Sequence, residues 1–290
     1  MELEDRDDLE GLAEQWPAHW SALLQLIRER AGVDFRDHRR DVLVKGLHSR
    51  LAAAGAVDLE AYLKIVATDP GEIDRLVEAL VLRVSSFFRE RAVFDAIAAV
   101  VLPEQRLRAR GAPLRVWAAG VSTGQEAWSL AMLLAKLRET APHQVVSLLA
   151  SDVDEGSLAV ARLGRYPASA AADVPPNWRE RFLRTRGDQV VVADELRDLV
   201  TFTRHDLMGT SLAPVEAVLA SFQVIVVRNV LLYFELRLRE KAFERLAAVI
   251  KPGGALVLGG YESVPEAALA KFHPYPGVAN HLQIFQSSVR

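Results

Sequence analysis

The sequence predicts an α/β protein with a mostly parallel sheet and an all-α domain in front of it, and three patterns carry this prediction. Residues 13–90 show helical periodicity and no good strand. From residue 91 onward, helical and strand patterns alternate, which favours a parallel sheet covered by helices. Residues 164–204 break this alternation with prolines and short β-branched runs, which predict a small antiparallel insertion.

The first part of the chain is predicted to form a helical N-terminal domain over residues 1–88. Residues 1–12 are acidic and are expected to fray. Trp20, Leu23, Leu24 and Ile27 form an apolar stripe at helical spacing. Three more helices follow, predicted at residues 37–51, 58–66 and 73–82. This region is locally basic, with acidic residues interspersed; its basic residues are Arg28, Arg30, Arg36, Arg39, Arg40, Lys45 and Arg50.

The second part, residues 89–290, is predicted to be the α/β domain. An insertion spans about residues 165–204, with strands at 189–192 and 200–203. The remaining predicted strands are 114–119, 145–150, 222–227 and 255–258, with a last one near 281–285, and the predicted helices are 92–101, 125–138, 156–163 and 236–250. The dense apolar run at 222–227 is typical of a central strand that is buried on both faces.

Composition limits the classes of function. The chain has 290 residues, of which 50% are hydrophobic, and it has no cysteine, which excludes disulfides and thiolate chemistry. A net charge of −3 predicts no bulk affinity for nucleic acid. The seven histidines form no close ligand pair, so no metal site is predicted. No signal peptide or membrane-spanning run is visible, so we expect a cytoplasmic protein without membrane insertion.

The most informative stretch is residues 115–132, which read RVWAAGVSTGQEAWSLAM. An apolar strand ends at Gly120, small and hydroxyl residues follow, and an amphipathic helix begins near Gln125. Such a turn lets a ligand approach bare backbone at a helix N-terminus, where negative charge is favoured. The spacing is Gly-x-x-x-Gly rather than the Gly-x-Gly-x-x-Gly that is typical of dinucleotide sites, and on its own it is a weak signal.

Asp152 ends the next predicted strand, one βαβ unit after the glycine turn. A carboxylate there is placed to accept hydrogen bonds from the two hydroxyls of a ribose. The alternative is that Asp152 or Asp154 caps the following helix, and we assign the cap to Asp154 and the ribose to Asp152. The two features together indicate a nucleoside-containing cofactor, and they leave NAD and S-adenosylmethionine open.

Four motifs, in order, resemble one family. Residues 83–90 read RVSSFFRE, residues 120–132 read GVSTGQEAWSLAM, residues 151–154 read SDVD and residues 228–234 read RNVLLYF. They are similar to motifs of the chemotaxis-receptor glutamate methyltransferases, the CheR family, and the resemblance covers about residues 20–263. It implies a Rossmann-like class I methyltransferase domain, S-adenosylmethionine as cofactor, S-adenosylhomocysteine as product, and a glutamate carboxylate of a chemoreceptor as methyl acceptor.

The resemblance also implies roles for individual residues. Arg89 and Tyr233 are the expected catalytic residues. Glu126 is expected to take the ammonium of the cofactor, Asp152 its ribose, and the adjacent pair Asp206 and Leu207 its adenine. The full set of expected cofactor-binding residues is Arg83, Ser85, Arg89, Gly120, Glu126, Asp152, Asp206, Leu207, Asn229 and Val230.

The chain departs from the family pattern at Arg83, which replaces an asparagine, and at Ser85, which replaces a threonine and keeps the hydroxyl. Arg83 motivates an alternative, a non-catalytic module that binds S-adenosylmethionine or S-adenosylhomocysteine; a methyltransferase with another protein acceptor is a second alternative. The turn at residues 184–189 is short, so we expect no tether to a receptor C-terminal peptide. The expected partner is the helical cytoplasmic region of a chemoreceptor, docked on the basic N-terminal domain of a monomer.

Overall fold

The computed structural model describes residues 17–31, 33, 35–36, 38–69, 71–80, 85–217 and 221–288. Residues 1–12, which were expected to fray, lie outside this part of the chain. Contacts between α-carbons divide the chain into two compact units. The first is Met1–Arg83 with Tyr233–Leu238, and the second is Val84–Leu232 with Arg239–Arg290. The boundary after residue 88 and the insertion limits stay predictions.

The first unit is helical, as predicted. Its N-terminal helices are α1 (Pro17–Ala31), α2 (Arg40–Ala54), α3 (Leu59–Thr68) and α4 (Glu72–Leu80). Leu23 and Ile27 of the predicted apolar stripe are buried. Asp58 caps α3 by accepting a hydrogen bond from the amide of Ala61 at 2.7 Å. Gly55 ends α2 in the left-handed region, with φ of 68°. The start of α3 and the end of α2 are therefore set by local capping residues.

The second unit is built on a seven-stranded sheet in the order β6-β2-β1-β7-β8-β10-β9. Its strands are β1 (Leu114–Ala119), β2 (Val146–Asp152), β6 (Val200–Arg204), β7 (Phe222–Val227), β8 (Ile250–Leu258), β9 (Phe272–Pro274) and β10 (Ile284–Ser287). The first five strands in this order are parallel, and β10 is antiparallel to both β8 and β9. The predicted mostly parallel sheet is therefore confirmed.

Helices alternate with these strands. They are α5 (Arg91–Ala96), which continues through a π-helical turn (Ile97–Val101) into α6 (Leu102–Ala109), then α7 (Gln125–Thr140), α8 (Glu155–Leu163), α9 (Pro176–Phe182), α10 (Asp194–Arg197) and α11 (Leu236–Val249). All six residues of β7 are buried, as expected for a central strand. Because parallel strands end at the same edge, the turns after β1, β2, β6 and β7 come together there.

The small antiparallel sheet is present, but one predicted member is not part of it. Its strands are β3 (Arg165–Pro167), β4 (Leu183–Arg186) and β5 (Gln189–Val192), in the order β3-β5-β4. The prediction of 200–203 as an antiparallel strand is wrong, because β6 pairs in parallel with β2 at the edge of the main sheet. An edge strand of a parallel sheet exposes alternate residues, and so does a strand of an antiparallel hairpin. The alternating sequence pattern of residues 200–203 therefore could not distinguish these two kinds of strand. Across the described residues, no helix has the length and apolar character needed to cross a membrane.

Candidate active site

The turn after β1 brings bare backbone close to the turn after β7. Gly120 lies in the left-handed region with φ of 74°, and a Cβ built on it would lie 2.2 Å from Cγ2 of Val230. Only glycine therefore fits this approach. Ser122 also has a positive φ, of 48°, and its buried hydroxyl has no hydrogen-bond partner among the described residues. A strained polar residue with an unmet hydroxyl marks a ligand-binding turn.

Asp152 ends β2 beside this turn and is buried. One carboxylate oxygen accepts the amide of Ser122 at 2.7 Å, and the other accepts the amide of Asp154 at 2.9 Å. Burial raises the pKa of the Asp152 carboxyl above its ordinary value, and these amides oppose the increase. Each oxygen keeps a lone pair for a further donor. The predicted cap is confirmed, since Asp154 accepts the amides of Gly156 and Ser157 at the start of α8.

A buried ion cluster lies under the first turn of α7. Oε2 of Glu126 accepts a hydrogen bond from Nη1 of Arg228 at 2.6 Å, and Nη2 of Arg228 lies 3.2 Å from Oε2 of Glu90. Burial raises the pKa of the Glu126 carboxyl, and the charges of Arg228 and Arg89 lower it. The side chain of Glu126 keeps 11% exposure, and its Oε1 accepts no hydrogen bond within the described part of the chain. Glu126 therefore has one oxygen available to a positively charged group.

The segment that carries Ser85 and Arg89 is bound to the α/β unit by its backbone. The amide of Phe88 donates to Oγ of Ser129 in α7 at 3.0 Å, and the carbonyl of Arg89 accepts from Nη2 of Arg228 at 2.9 Å. Phe88 and Glu90 both have positive φ, of 52° and 59°. Ser85 and Arg89 are half-buried. This strained segment is thus held beside the start of α7.

The turns after β7 and β6 lie at the same edge of the sheet as the turns after β1 and β2. After β7, Asn229 has φ of 59°, and Asn229 and Val230 are half-buried. After β6, Oδ1 of Asp206 accepts the amide of Met208 at 2.8 Å, and the carbonyl of Leu207 accepts from Nε of Arg245 at 2.6 Å. The structure therefore brings together the predicted cofactor residues Gly120, Glu126, Asp152, Asp206, Leu207, Asn229 and Val230 at one sheet edge.

Tyr233 and Arg83 are the two remaining predicted residues. Tyr233 belongs to the helical unit, where its carbonyl accepts the amide of Arg39 at 2.8 Å. The neighbouring residue Phe234 forms a β-bridge with His38, and their rings meet edge to face with centroids 4.7 Å apart. Arg83 lies outside the described residues. The described residues contain no cluster of side chains suited to a metal ion.

The sequence matches two family models in succession. The CheR methyltransferase all-alpha domain matches residues 18–81, and the CheR methyltransferase SAM binding domain matches residues 83–276. The chain belongs to the CheR methyltransferase family. Its second domain is therefore a domain that binds S-adenosylmethionine (SAM).

Curated relatives agree with this assignment. The chain is 33% identical to the chemotaxis protein methyltransferase of Escherichia coli (strain K12) over 252 residues, which are 85% of this chain and 84% of that protein. It is 30% identical to chemotaxis protein methyltransferase 2 of Pseudomonas aeruginosa over 252 residues, 84% and 87% of the two chains. It is also 31% identical over 244 residues to an uncharacterized 104.1 kDa protein of Rhodobacter capsulatus, but spans only 25% of that protein.

The residues at the CheR sheet edge fit S-adenosylmethionine. The free oxygen of Glu126 suits an ammonium, and the remaining lone pairs of Asp152 suit a pair of ribose hydroxyls. The unmet hydroxyl of Ser122 and the glycine-dependent approach at Gly120 are features of a turn that receives a ligand. The acceptors at this edge are thus suited to the ammonium and the ribose hydroxyls of this cofactor.

Sequence reasoning missed two residues of the CheR site, Arg228 and Glu262. Arg228 was seen only as the first residue of a motif, and Glu262 lies in none of the four motifs, although both side chains are buried and bind the turns that form the site. One signal was available for Arg228: it directly follows a strand whose six residues are all buried and, except for Gln223, all apolar. A charge in that position requires a buried partner. Glu262 carried no comparable signal, because its partners are backbone amides about thirty residues away in the chain.

Proposed function

We propose that this protein transfers a methyl group from S-adenosylmethionine to glutamate side chains of a chemoreceptor. The observation that carries the proposal is the buried cluster of Glu126, Arg228 and the Arg89 segment at the start of α7. Oε1 of Glu126 accepts no hydrogen bond from the described residues, and Glu126 lies at the same sheet edge as the buried Asp152. Membership of the CheR family and the names of its relatives in chemotaxis support the acceptor class.

Each predicted residue has a proposed part in holding the cofactor. Glu126 would bind the ammonium, Asp152 the ribose hydroxyls, and Asp206 with Leu207 the adenine. The remaining proposed binding residues are Arg83, Ser85, Arg89, Gly120, Asn229 and Val230, which would line the amino-acid end and the centre of the pocket. When bound, this cofactor supplies a methyl group on a sulfonium, a donor that is already activated.

The reaction then needs little general acid–base catalysis from the residues of this chain. An acceptor glutamate is ionised at neutral pH, so no general base is required. Arg89 is a proposed catalytic residue because its guanidinium can orient a carboxylate through two parallel hydrogen bonds. Tyr233 is the second proposed catalytic residue, and the proposal puts it near the methyl group. Orientation of this kind, with water excluded, can supply up to roughly 7–11 kcal/mol in favourable cases.

The proposed docking surface for the receptor is the basic face of the helical unit. Arg28, Arg36, Arg39 and Arg40 are exposed there. Arg50 is withdrawn from this surface because it pairs with the buried Glu72. An acidic, helical receptor segment complements such a face, and its binding would weaken with salt. We further propose that the protein acts in the cytoplasm as a monomer and without a C-terminal peptide tether.

The test is transfer of labelled methyl groups from S-adenosylmethionine to the cytoplasmic fragment of a candidate receptor. Label on the wild-type fragment, and its loss when the acceptor glutamates are replaced by alanine, would support the proposal. Label on a different protein would show that this other protein, and not the chemoreceptor, is the methyl acceptor. Binding of the cofactor without transfer to any receptor would overturn the enzyme proposal in favour of a non-catalytic binding module.

A further inference from the structure

The turn after β8 places one buried carboxylate under the loop that follows β7. Glu262 is only 4% exposed. Its two oxygens accept five backbone N–H groups, those of Val230, Leu231 and Leu232 on Oε1 at 2.9, 2.6 and 3.3 Å, and those of Asn229 and Gly259 on Oε2 at 2.9 and 2.6 Å. Four successive amides of the loop thus converge on one side chain.

This arrangement holds a strained backbone conformation in the loop after β7. Asn229 is left-handed, with φ of 59°, and the chain then enters a single 3₁₀ turn at Leu231–Tyr233. A non-glycine residue in the left-handed region is strained and persists only where its surroundings fix it. The converging N–H groups form an anion-binding concavity, and an internal carboxylate fills it. Without that carboxylate, several amides would lose their acceptor in a buried position.

Gly259 allows the carboxylate to reach the loop. A Cβ on Gly259 would lie 2.9 Å from both the amide nitrogen of Asn229 and Oε2 of Glu262. The amide of the next residue, Gly260, donates to Oε2 of Glu90 at 3.2 Å, and Glu90 also pairs with Arg228. The turn at 259–262 is therefore bonded to the loop after β7 on one side and to the Arg89 segment on the other.

We propose that Glu262 is a positioning residue for the cofactor site, which acts through the backbone of residues 229–232. The inference rests on the proposed function. Val230 meets the turn after β1 at Gly120, where no side-chain atom fits between them. A shift of the loop after β7 would therefore move the wall that Asn229 and Val230 contribute to the site.

The test compares Glu262→Gln with Glu266→Gln, a matched change at an exposed glutamate four residues later. The amide of glutamine is nearly isosteric but turns one acceptor oxygen into a donor that faces N–H groups. We expect Glu262→Gln to weaken S-adenosylhomocysteine binding about tenfold in calorimetry, or about 1.4 kcal/mol. We also expect about tenfold faster hydrogen exchange in a peptide that covers residues 229–232. Glu266→Gln should change neither.

Two measurements keep the proposal falsifiable if Glu262→Gln does not fold. In the wild type, the amides of residues 229–232 should exchange as slowly as those of the central strands, although they lie in a loop. Gly259→Ala keeps the charge but displaces it, and should weaken binding in the same direction. Fast wild-type exchange, or a folded Glu262→Gln variant with unchanged affinity and exchange, would overturn the proposal. Failure of the wild type to bind S-adenosylhomocysteine would instead count against the proposed function.

Discussion

Each unit of the chain buries a charged cluster, and the two clusters differ in how completely their hydrogen bonds are met. In the helical unit, Glu72 accepts four hydrogen bonds: from Nε and Nη2 of Arg50 at 2.5 and 2.8 Å, from the hydroxyl of Tyr62 at 2.7 Å and from Nε of Arg75 at 2.9 Å. In the α/β unit, Nε of the fully buried Arg228 has no partner among the described residues, and Oε1 of Glu126 accepts no hydrogen bond from them.

The difference separates a structural cluster from a binding one. Glu72 is saturated, so it holds helices together and has no lone pair for a ligand. Glu126 and Arg228 hold loops in strained conformations and keep bonding capacity at a sheet edge. The buried Nε of Arg228 and the partly exposed Oε1 of Glu126 therefore leave this cluster with bonding capacity that a ligand can use.

The largest expected effect comes from removing the centre of the saturated cluster. Glu72→Ala leaves Arg50 without its buried partner and should lower the free energy of unfolding by about 3–5 kcal/mol. The control is Glu60→Ala, which removes the exposed Glu60–Lys64 pair and should cost less than about 1 kcal/mol. Chemical denaturation measures both. Equal losses for the two variants would contradict the structural role of Glu72.

Arg89→Ala should affect activity rather than stability. If the guanidinium has its proposed role of orienting a carboxylate, its loss should lower the turnover number at least ~100-fold, or about 2.7 kcal/mol, with the melting temperature unchanged. The control is Arg91→Ala, which removes an exposed arginine of the same segment that pairs with Asp95 at 3.3 Å and lies 5.9 Å from the centre of the Phe88 ring. Turnover within a few-fold of wild type in Arg89→Ala would remove this residue from the site.

Asp152→Ala should weaken binding of S-adenosylhomocysteine by about 1–3 kcal/mol, because hydrogen bonds to a charged group are lost. Isothermal titration measures the affinity. The control is Asp194→Ala, which removes an aspartate whose side chain is 90% exposed. Wild-type affinity in Asp152→Ala would refute the ribose role and would leave this carboxylate as an acceptor for the amides of Ser122 and Asp154 only.

A matched pair of arginine variants, one in each cluster, tests directly whether the two clusters have different roles. Lysine keeps the charge but loses the planar fork, so Arg50→Lys and Arg228→Lys should each lower stability by about 1–2 kcal/mol. Only Arg228→Lys should also weaken S-adenosylhomocysteine binding, because Arg228 bonds both Glu126 and the Arg89 carbonyl. Denaturation and calorimetry on both variants give the four values. Weaker binding in Arg50→Lys would break the distinction between the clusters.

The smallest expected effect is a dependence of stability on pH. Hydrogen bonds from Arg50 lower the pKa of Glu72 from 4.5 to about 2, against the opposing effect of burial. A lowered folded-state pKa gives stability that is present above the unfolded value and is lost as the pH falls from about 4.5 towards 2. At pH 4 the loss from this group should stay below about 1 kcal/mol relative to pH 7. Glu72→Gln should abolish it; equal acid sensitivity of both proteins would contradict the assignment.

The parts of the fold that follow from local chemistry were predictable from sequence. The apolar run of β7, the glycine turn after β1 and the cap at Asp154 each depend on residues close in the chain, and each is confirmed. The parallel pairing of β6 was not predicted, because an edge strand and an antiparallel strand share the same alternation. The hydrophobic pattern of a strand determines which face of the sheet each residue occupies, but not which strand it pairs with.

The candidate site was only partly predictable, for a related reason. Motifs located Glu126 and Asp152, which lie at the turns that the strand pattern predicts. The bonds that hold these turns cross long distances in the chain, as Arg228 does to Glu126 and Glu262 does to Leu231. No spacing rule predicts such partners. The grouping of Tyr233 with the helical unit also depends on tertiary contacts alone.

The central claim is that the sheet edge with Glu126 and Asp152 binds S-adenosylmethionine. The most direct measurement is isothermal titration of the purified protein with S-adenosylmethionine and with S-adenosylhomocysteine. Both compounds should bind at one site per chain, with dissociation constants in the micromolar range, or roughly −8 kcal/mol. Absence of binding by both compounds, in a sample shown to be folded, would contradict the claim.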